Sequence, residues 1–112
     1  MKRIVVLGST GSIGVSTLKV AAEHPGEFEV VGLAAGSRVR ELAEQARAFR
    51  PRWVAVQDAS RAAELERLLD GLPTEILAGE GSAAELAGRD GVDRVVVAIT
   101  GAAALAPTLR AI

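Results

Sequence analysis

Three glycines spaced three apart, in Gly8-Ser9-Thr10-Gly11-Ser12-Ile13-Gly14, directly follow the apolar run Ile4-Val5-Val6-Leu7. No other feature restricts the fold as much. A run of branched apolar residues reads as a strand covered on both faces, and the glycines after it read as a sharp passage into a helix. Glycine reaches dihedrals that a Cβ forbids and lets backbone approach another group closely. The first amides of a helix lack partners within it, and the helix dipole adds partial positive charge at that end. Such a unit binds an anion through its backbone, which is how a Rossmann-type domain holds a dinucleotide pyrophosphate.

The spacing is G-x-x-G-x-x-G rather than the commoner G-x-G-x-x-G, so the position of the motif, opening the first βα unit, carries the argument. A P-loop needs G-x-x-x-x-G-K-[ST]. Here five residues separate Gly8 from Gly14, and Val15 precedes Ser16, which argues against a nucleoside triphosphatase. The 112 residues include no cysteine, which removes disulfides, thiolate nucleophiles and cysteine zinc sites. Thirteen basic and fourteen acidic residues are spread without a block, so neither nucleic acid nor a membrane surface is expected as a partner. No apolar run reaches the length of about 18 residues that would suggest a membrane span. Met1-Lys2-Arg3 leads straight into the first strand, and a cytoplasmic location is expected.

Strand and helix patterns alternate along the chain. Strands are expected over residues 3–7, 28–34, 53–56, 75–77 and 92–99. A first helix over 12–23 has Ile13, Leu18, Val20 and Ala21 available for packing and stops at His24-Pro25-Gly26. A second over 39–49 places Val39, Leu42, Ala43, Ala46 and Phe49 on one face. A third over 60–69 turns Leu65, Leu68 and Leu69 inward, and Ser82-Ala83-Ala84-Glu85 fits a capping box opening a brief fourth. A last helical segment follows Thr100-Gly101. The pattern implies one α/β domain over residues 1–112, a Rossmann-type doubly wound parallel sheet of about five strands with helices on both faces. Ligands of such sheets bind at the carboxyl ends of the strands, near the switch point. The loops at 8–14, 35–38 and 99–103 are therefore the ones that matter.

A domain that prefers NAD places Asp or Glu at the end of the second strand, to accept from the ribose 2′-hydroxyl. Glu27 and Glu29 lie at the wrong end of that strand, and its carboxyl end reads Ala35-Gly36-Ser37-Arg38. A hydroxyl and a guanidinium suit a 2′-phosphate, which a carboxylate would repel. NADPH is the expected cofactor.

The run from Gly8 to Gly14, continued by Ser16-Thr17-Leu18, does not stand alone. With it come His24-Pro25, Leu33-Ala34-Ala35-Gly36-Ser37, Phe49-Arg50-Pro51, Gly101-Ala102-Ala103 and Pro107-Thr108-Leu109. This ordered set, spread from Lys2 to Ile112, resembles the amino-terminal domain of the 1-deoxy-D-xylulose-5-phosphate reductoisomerase family. The resemblance implies that Thr10, Gly11, Ser12 and Ile13 contact the cofactor's phosphates and neighbouring groups. It also implies that Gly36 and Ser37, with Arg38 beside them, hold the adenosine ribose phosphate. The family commonly has asparagine where Arg38 stands, and glycine where Ala104 stands. Its members rearrange 1-deoxy-D-xylulose 5-phosphate and reduce it with NADPH to 2-C-methyl-D-erythritol 4-phosphate, in isoprenoid biosynthesis. They use a divalent metal, magnesium or manganese, and the parent is expected to be a homodimer acting on this sugar phosphate.

Family members are much longer, so the chain is expected to be an NADPH-binding piece without the catalytic and carboxy-terminal domains, and inactive alone. No catalytic residue or metal ligand is expected within it. His24 sits at a helix end, and Asp58, Asp90 and Asp93 are scattered turn residues. Two other readings stand beside this one. One is an NADP-dependent semialdehyde or dihydrodipicolinate-type reductase domain, which also uses a G-x-x-G-x-x-G turn; the other is a non-enzymatic NADP(H)-binding module.

Overall fold

The apolar run near the amino terminus forms β1 (Lys2–Leu7), whose last four residues are buried. Then come α1 (Ser12–Glu23), β2 (Phe28–Ala35), α2 (Val39–Phe49), β3 (Trp53–Val56), α3 (Ala62–Leu68), β4 (Glu75–Ala78), α4 (Ser82–Ala87) and β5 (Arg94–Val97). The computed structural model describes residues 1–98. The expected loop at 99–103 and the last helical segment lie outside the described residues.

All pairings are parallel, in the order β4-β3-β2-β1-β5. From β1 the chain steps outward through β2, β3 and β4, then returns to add β5 on the far side of β1. Right-handed crossovers put the helices of the outward steps on one face and that of the return on the other. The buried clusters follow this rule. Leu18 and Ala21 of α1, Leu42 and Ala46 of α2 and Leu65 of α3 pack with Ile4, Val6, Val54 and Val56. On the opposite face, Leu86 of α4 packs with Val5, Leu7 and Ala55. The reversal places the switch point between β1 and β5, where the glycine turn leaves the sheet.

Several local expectations give way to tertiary context. The buried positions of α1 are Gly14, Leu18 and Ala21, three and four residues apart. Ile13 and Val20 fall on the other side of the helix and are 52% and 51% exposed, so they do not pack in the core. The expected third helix opens as a 3-10 turn, Ala59–Arg61, because the Asp58 side chain accepts from the Ser60 amide and tightens the entry. Leu65 and Leu69 are buried there, while Leu68 is only partly so. Ser82 does not form a capping box. Gly81, at φ 88°, takes the cap position, and the buried Ser82 hydroxyl donates instead to the Val56 carbonyl at 3.4 Å. The last strand is four residues, shorter than the apolar run suggests.

The β1–β2 register slips once: Ile4 pairs with Val30, but Val5 pairs with Gly32. The extra residue in β2 resets its alternation, so that Val30, Leu33 and Ala35 join one face and Val31 and Ala34 the other. Gly32 lies at this bulge against α4. A Cβ there would come within 2.9 Å of both Leu86 Cδ1 and Val5 Cγ2. Gly32→Val should therefore lower the unfolding free energy by about 1–3 kcal/mol through overpacking. Urea unfolding followed by circular dichroism measures this; an unchanged midpoint would show that α4 gives way freely.

Candidate functional site

The turn after β1 is fixed on three sides. Gly8 has φ 81°, a left-handed value that only glycine adopts without strain. Both the Gly8 and Ser9 amides donate to the Ala34 carbonyl of β2, at 2.8 and 2.9 Å. The Gly11 amide donates to the Gly8 carbonyl at 3.2 Å, and the Gly11 carbonyl accepts from Val15 as α1 begins. These bonds leave the amides of Thr10, Ser12, Ile13 and Gly14 with no partner among the described residues. The helix has no side-chain cap and no acidic residue in its first turn. Its positive end is thus open to an anion supplied from outside.

The glycines divide the work. At Gly14 a Cβ would lie 2.2 Å from the Gly8 carbonyl oxygen and 2.6 Å from Ser9 Cα, so the helix can rest on the turn only without a side chain. At Gly11 the nearest atom to a Cβ is the Gly8 carbonyl oxygen at 3.6 Å, an ordinary contact. Gly14 shapes the turn. The absence of a side chain at Gly11 keeps the space in front of it clear. Ser12 and Ile13 are exposed, and Thr10 and Gly11 partly so.

The second expected loop leaves β2 at the same edge of the sheet. Gly36, Ser37 and Arg38 are all exposed, and the Ser37 carbonyl accepts from the Val39 amide as α2 starts. The two expected groups, Thr10–Ile13 and Gly36–Arg38, therefore share the carboxyl edge of neighbouring strands. Ser37 and Arg38 line a shallow polar depression together with Arg40, Arg61 and Glu64. Arg61 bonds Glu64 at 3.1 Å, and Arg40 lies 4.0 Å from the same carboxylate. Arg38 has no ion pair among the described residues. Arg61 was not visible as a site residue in the sequence, because it joins the depression only through the pairing of β3 with β2.

No catalytic set assembles among the described residues. His24 caps the end of α1 and stands 4.0 Å from Glu27. Asp93 accepts from the Arg3 amide. Bonds from the Ser60 hydroxyl and amide hold the Asp58 carboxyl below its ordinary value. That cap is in place above the usual carboxylate range and is lost as the pH falls through the lowered value. Among the described residues no three His, Cys, Asp or Glu side chains converge as metal ligands. No described helix is long and apolar enough to cross a membrane.

A family model described as 1-deoxy-D-xylulose 5-phosphate reductoisomerase matches residues 4–112. The chain belongs to that family. A reductoisomerase of this name from Proteus mirabilis (strain HI4320) is 48% identical over 114 residues, and one from Chlorobium phaeobacteroides (strain DSM 266 / SMG 266 / 2430) is 51% identical over 112 residues. In each case all of this chain is covered but only 29% of the relative, so it spans under a third of their length. A crystal structure of DOX-P reductoisomerase in complex with NADPH, fosmidomycin and magnesium superposes with a TM-score of 0.92 at 38% identity, covering 99% of this chain and 28% of that one. The enzyme from Zymomonas mobilis in complex with NADPH gives 0.90 at 34% identity, covering 98% and 29%. Family membership sets aside the semialdehyde and dihydrodipicolinate-type readings.

The two glycines should respond differently to a methyl group. Gly14→Ala should cost about 1–3 kcal/mol or more of stability, because backbone must move to admit it. Gly11→Ala should leave the melting temperature near that of the parent chain. Differential scanning calorimetry of both variants checks this, and equal losses would mean that the turn is rigid at Gly11 as well.

Proposed function

We propose that this chain is the NADPH-binding domain of an enzyme that rearranges 1-deoxy-D-xylulose 5-phosphate and reduces it to 2-C-methyl-D-erythritol 4-phosphate, in isoprenoid biosynthesis. The observation that carries the reading is the uncapped first turn of α1 at the switch point, with its amides unpaired beside the end of β1. These are the features a pyrophosphate needs: backbone donors, a favourable dipole and room for close approach. In this reading the Thr10, Ser12 and Ile13 amides donate to the pyrophosphate. Gly11 contributes clearance, and the exposed Ile13 side chain gives the cofactor an apolar neighbour. Gly36 and Ser37 receive the adenosine ribose, and Arg38 meets its 2′-phosphate with Arg40 and Arg61 nearby.

When bound, the nicotinamide supplies the hydride for the reduction. The residues of this chain bind and orient; they hold no proton-transfer group at the turn. Among the described residues no three His, Cys, Asp or Glu side chains converge to hold the divalent metal of the full-length parent. The same reading makes the parent a cytoplasmic homodimer that takes a sugar phosphate.

Cofactor preference tests the proposal. The chain should bind NADPH more tightly than NADH, and Arg38→Ala should reduce that preference by about 10- to 150-fold, the value of a charge-assisted contact of about 1.5–3 kcal/mol. Fluorescence titration with both cofactors measures it, and equal affinity of the parent chain for the two would sink the assignment. Gly11→Val should abolish binding while the circular dichroism spectrum is retained, because the branched side chain fills the space a pyrophosphate needs. Retained affinity in that variant would make the glycine turn purely structural.

A further inference from the structure

We propose that Gln45 is a positioning residue of the turn: through the Ser9 carbonyl it sets the aim of the Thr10 amide. The proposal rests on the reading that the turn receives a pyrophosphate. Gln45 lies within α2, and its Nε2 donates to the Ser9 carbonyl, 36 residues earlier, at 2.8 Å. The Ser9 amide is already held by the Ala34 carbonyl at 2.9 Å. Both backbone groups of Ser9 are therefore tied, one to β2 and one to α2. A trans peptide is planar, and its carbonyl and the following amide point to opposite sides. Drawing the Ser9 carbonyl toward α2 thus turns the Thr10 amide away from α2. That amide has no partner among the described residues.

The surroundings make a purely packing role a poor account of the side chain. Gln45 Oε1 and Ser9 Oγ are both buried without a hydrogen-bond partner among the described residues. Burying polar atoms in this way costs stability, and an apolar side chain of the same length would avoid much of that cost. What the glutamine adds is one donor on one carbonyl of the phosphate turn. The same helix begins next to Ser37 and Arg38, so α2 is connected to both ends of the site, by its start and by Gln45.

Two variants of the 112-residue chain test this, with NADP⁺ as the probe in isothermal titration calorimetry. Each is compared with the parent chain at the same pH, so that the titration of the probe itself cancels. Gln45→Met keeps the length and removes the donor. It should keep its circular dichroism spectrum and bind about 3- to 30-fold more weakly, the value of one well-aimed hydrogen bond and its loss. Gln45→Glu sets a carboxylate against a carbonyl, but a protonated carboxyl group donates again. Partial burial against the Ser9 carbonyl raises that carboxyl above its usual value of about 4.3. Its deficit should therefore be larger than that of Gln45→Met above about pH 7 and shrink toward about pH 5, as it takes up its proton. Undiminished affinity in Gln45→Met would overturn the proposal, and so would a Gln45→Glu deficit that ignores pH. Unfolding of both variants would do the same, because Gln45 would then be a prop for the fold. Failure of the parent chain to bind NADP⁺ at all is a separate result, which removes the pyrophosphate reading and this proposal with it.

Discussion

The first turn of α1 rests directly on the backbone that leaves β1. Gly14 stands where any side chain would overlap the Gly8 carbonyl and Ser9 Cα, and much of the molecule's order follows from that approach. It fixes where the helix starts, and so where its unpaired amides emerge. It sets the angle at which α1 crosses the sheet and lets Leu18 and Ala21 reach the cluster shared with Ile4 and Val6. A wider separation would leave a void beneath the helix and move the amides away from the end of β1. Fold and site thus depend on the same absence of a side chain.

The parts of the structure legible in the sequence are those whose causes are local. The passage from strand to glycine turn to helix can be read from fourteen residues, because strand burial, positive φ and helix initiation are each encoded by their own residues. The inner face of α2 is legible for the same reason: Val39, Leu42, Ala43 and Ala46 obey a helical period and are all buried. The misses have non-local causes. Ile13 and Val20 look like core residues by composition, and only the contact at Gly14 decides which way α1 faces. Ser82 has the spacing of a capping box, but the end of β3 beside it offers its hydroxyl a carbonyl. The slip in β2 exists because two faces must be filled at once, and no periodicity within eight residues reveals it.

The candidate site divides in the same way. Thr10–Ile13 and Gly36–Arg38 are continuous segments at strand ends, and the sheet order brings them to one edge. Arg61 and Gln45 come from elsewhere, one by way of β3 and the other from within α2. Glu64 tempers the basic group near Ser37. By pairing with Arg61 and approaching Arg40, it limits the repulsion among the guanidinium groups while Arg38 stays unpaired among the described residues. A cluster balanced in this way can stay folded without a ligand and still present positive charge at its rim.

The strand order also has a consequence for how the chain comes together in time. β1 is made first, yet one of its two neighbours is the last described strand; Arg3 bonds Asp93 across 90 positions. The sheet can grow from β1 through β4 by short connections, but the pairing that encloses β1 requires closure of nearly the whole chain. Until β5 is synthesised, Ile4, Val5, Val6 and Leu7 form an edge rather than a centre, with free amides and carbonyls along an apolar strand. Exposed edges of that kind invite pairing with other chains. During synthesis, a strand that the finished sheet flanks on both sides thus stands open to aggregation until β5 is made.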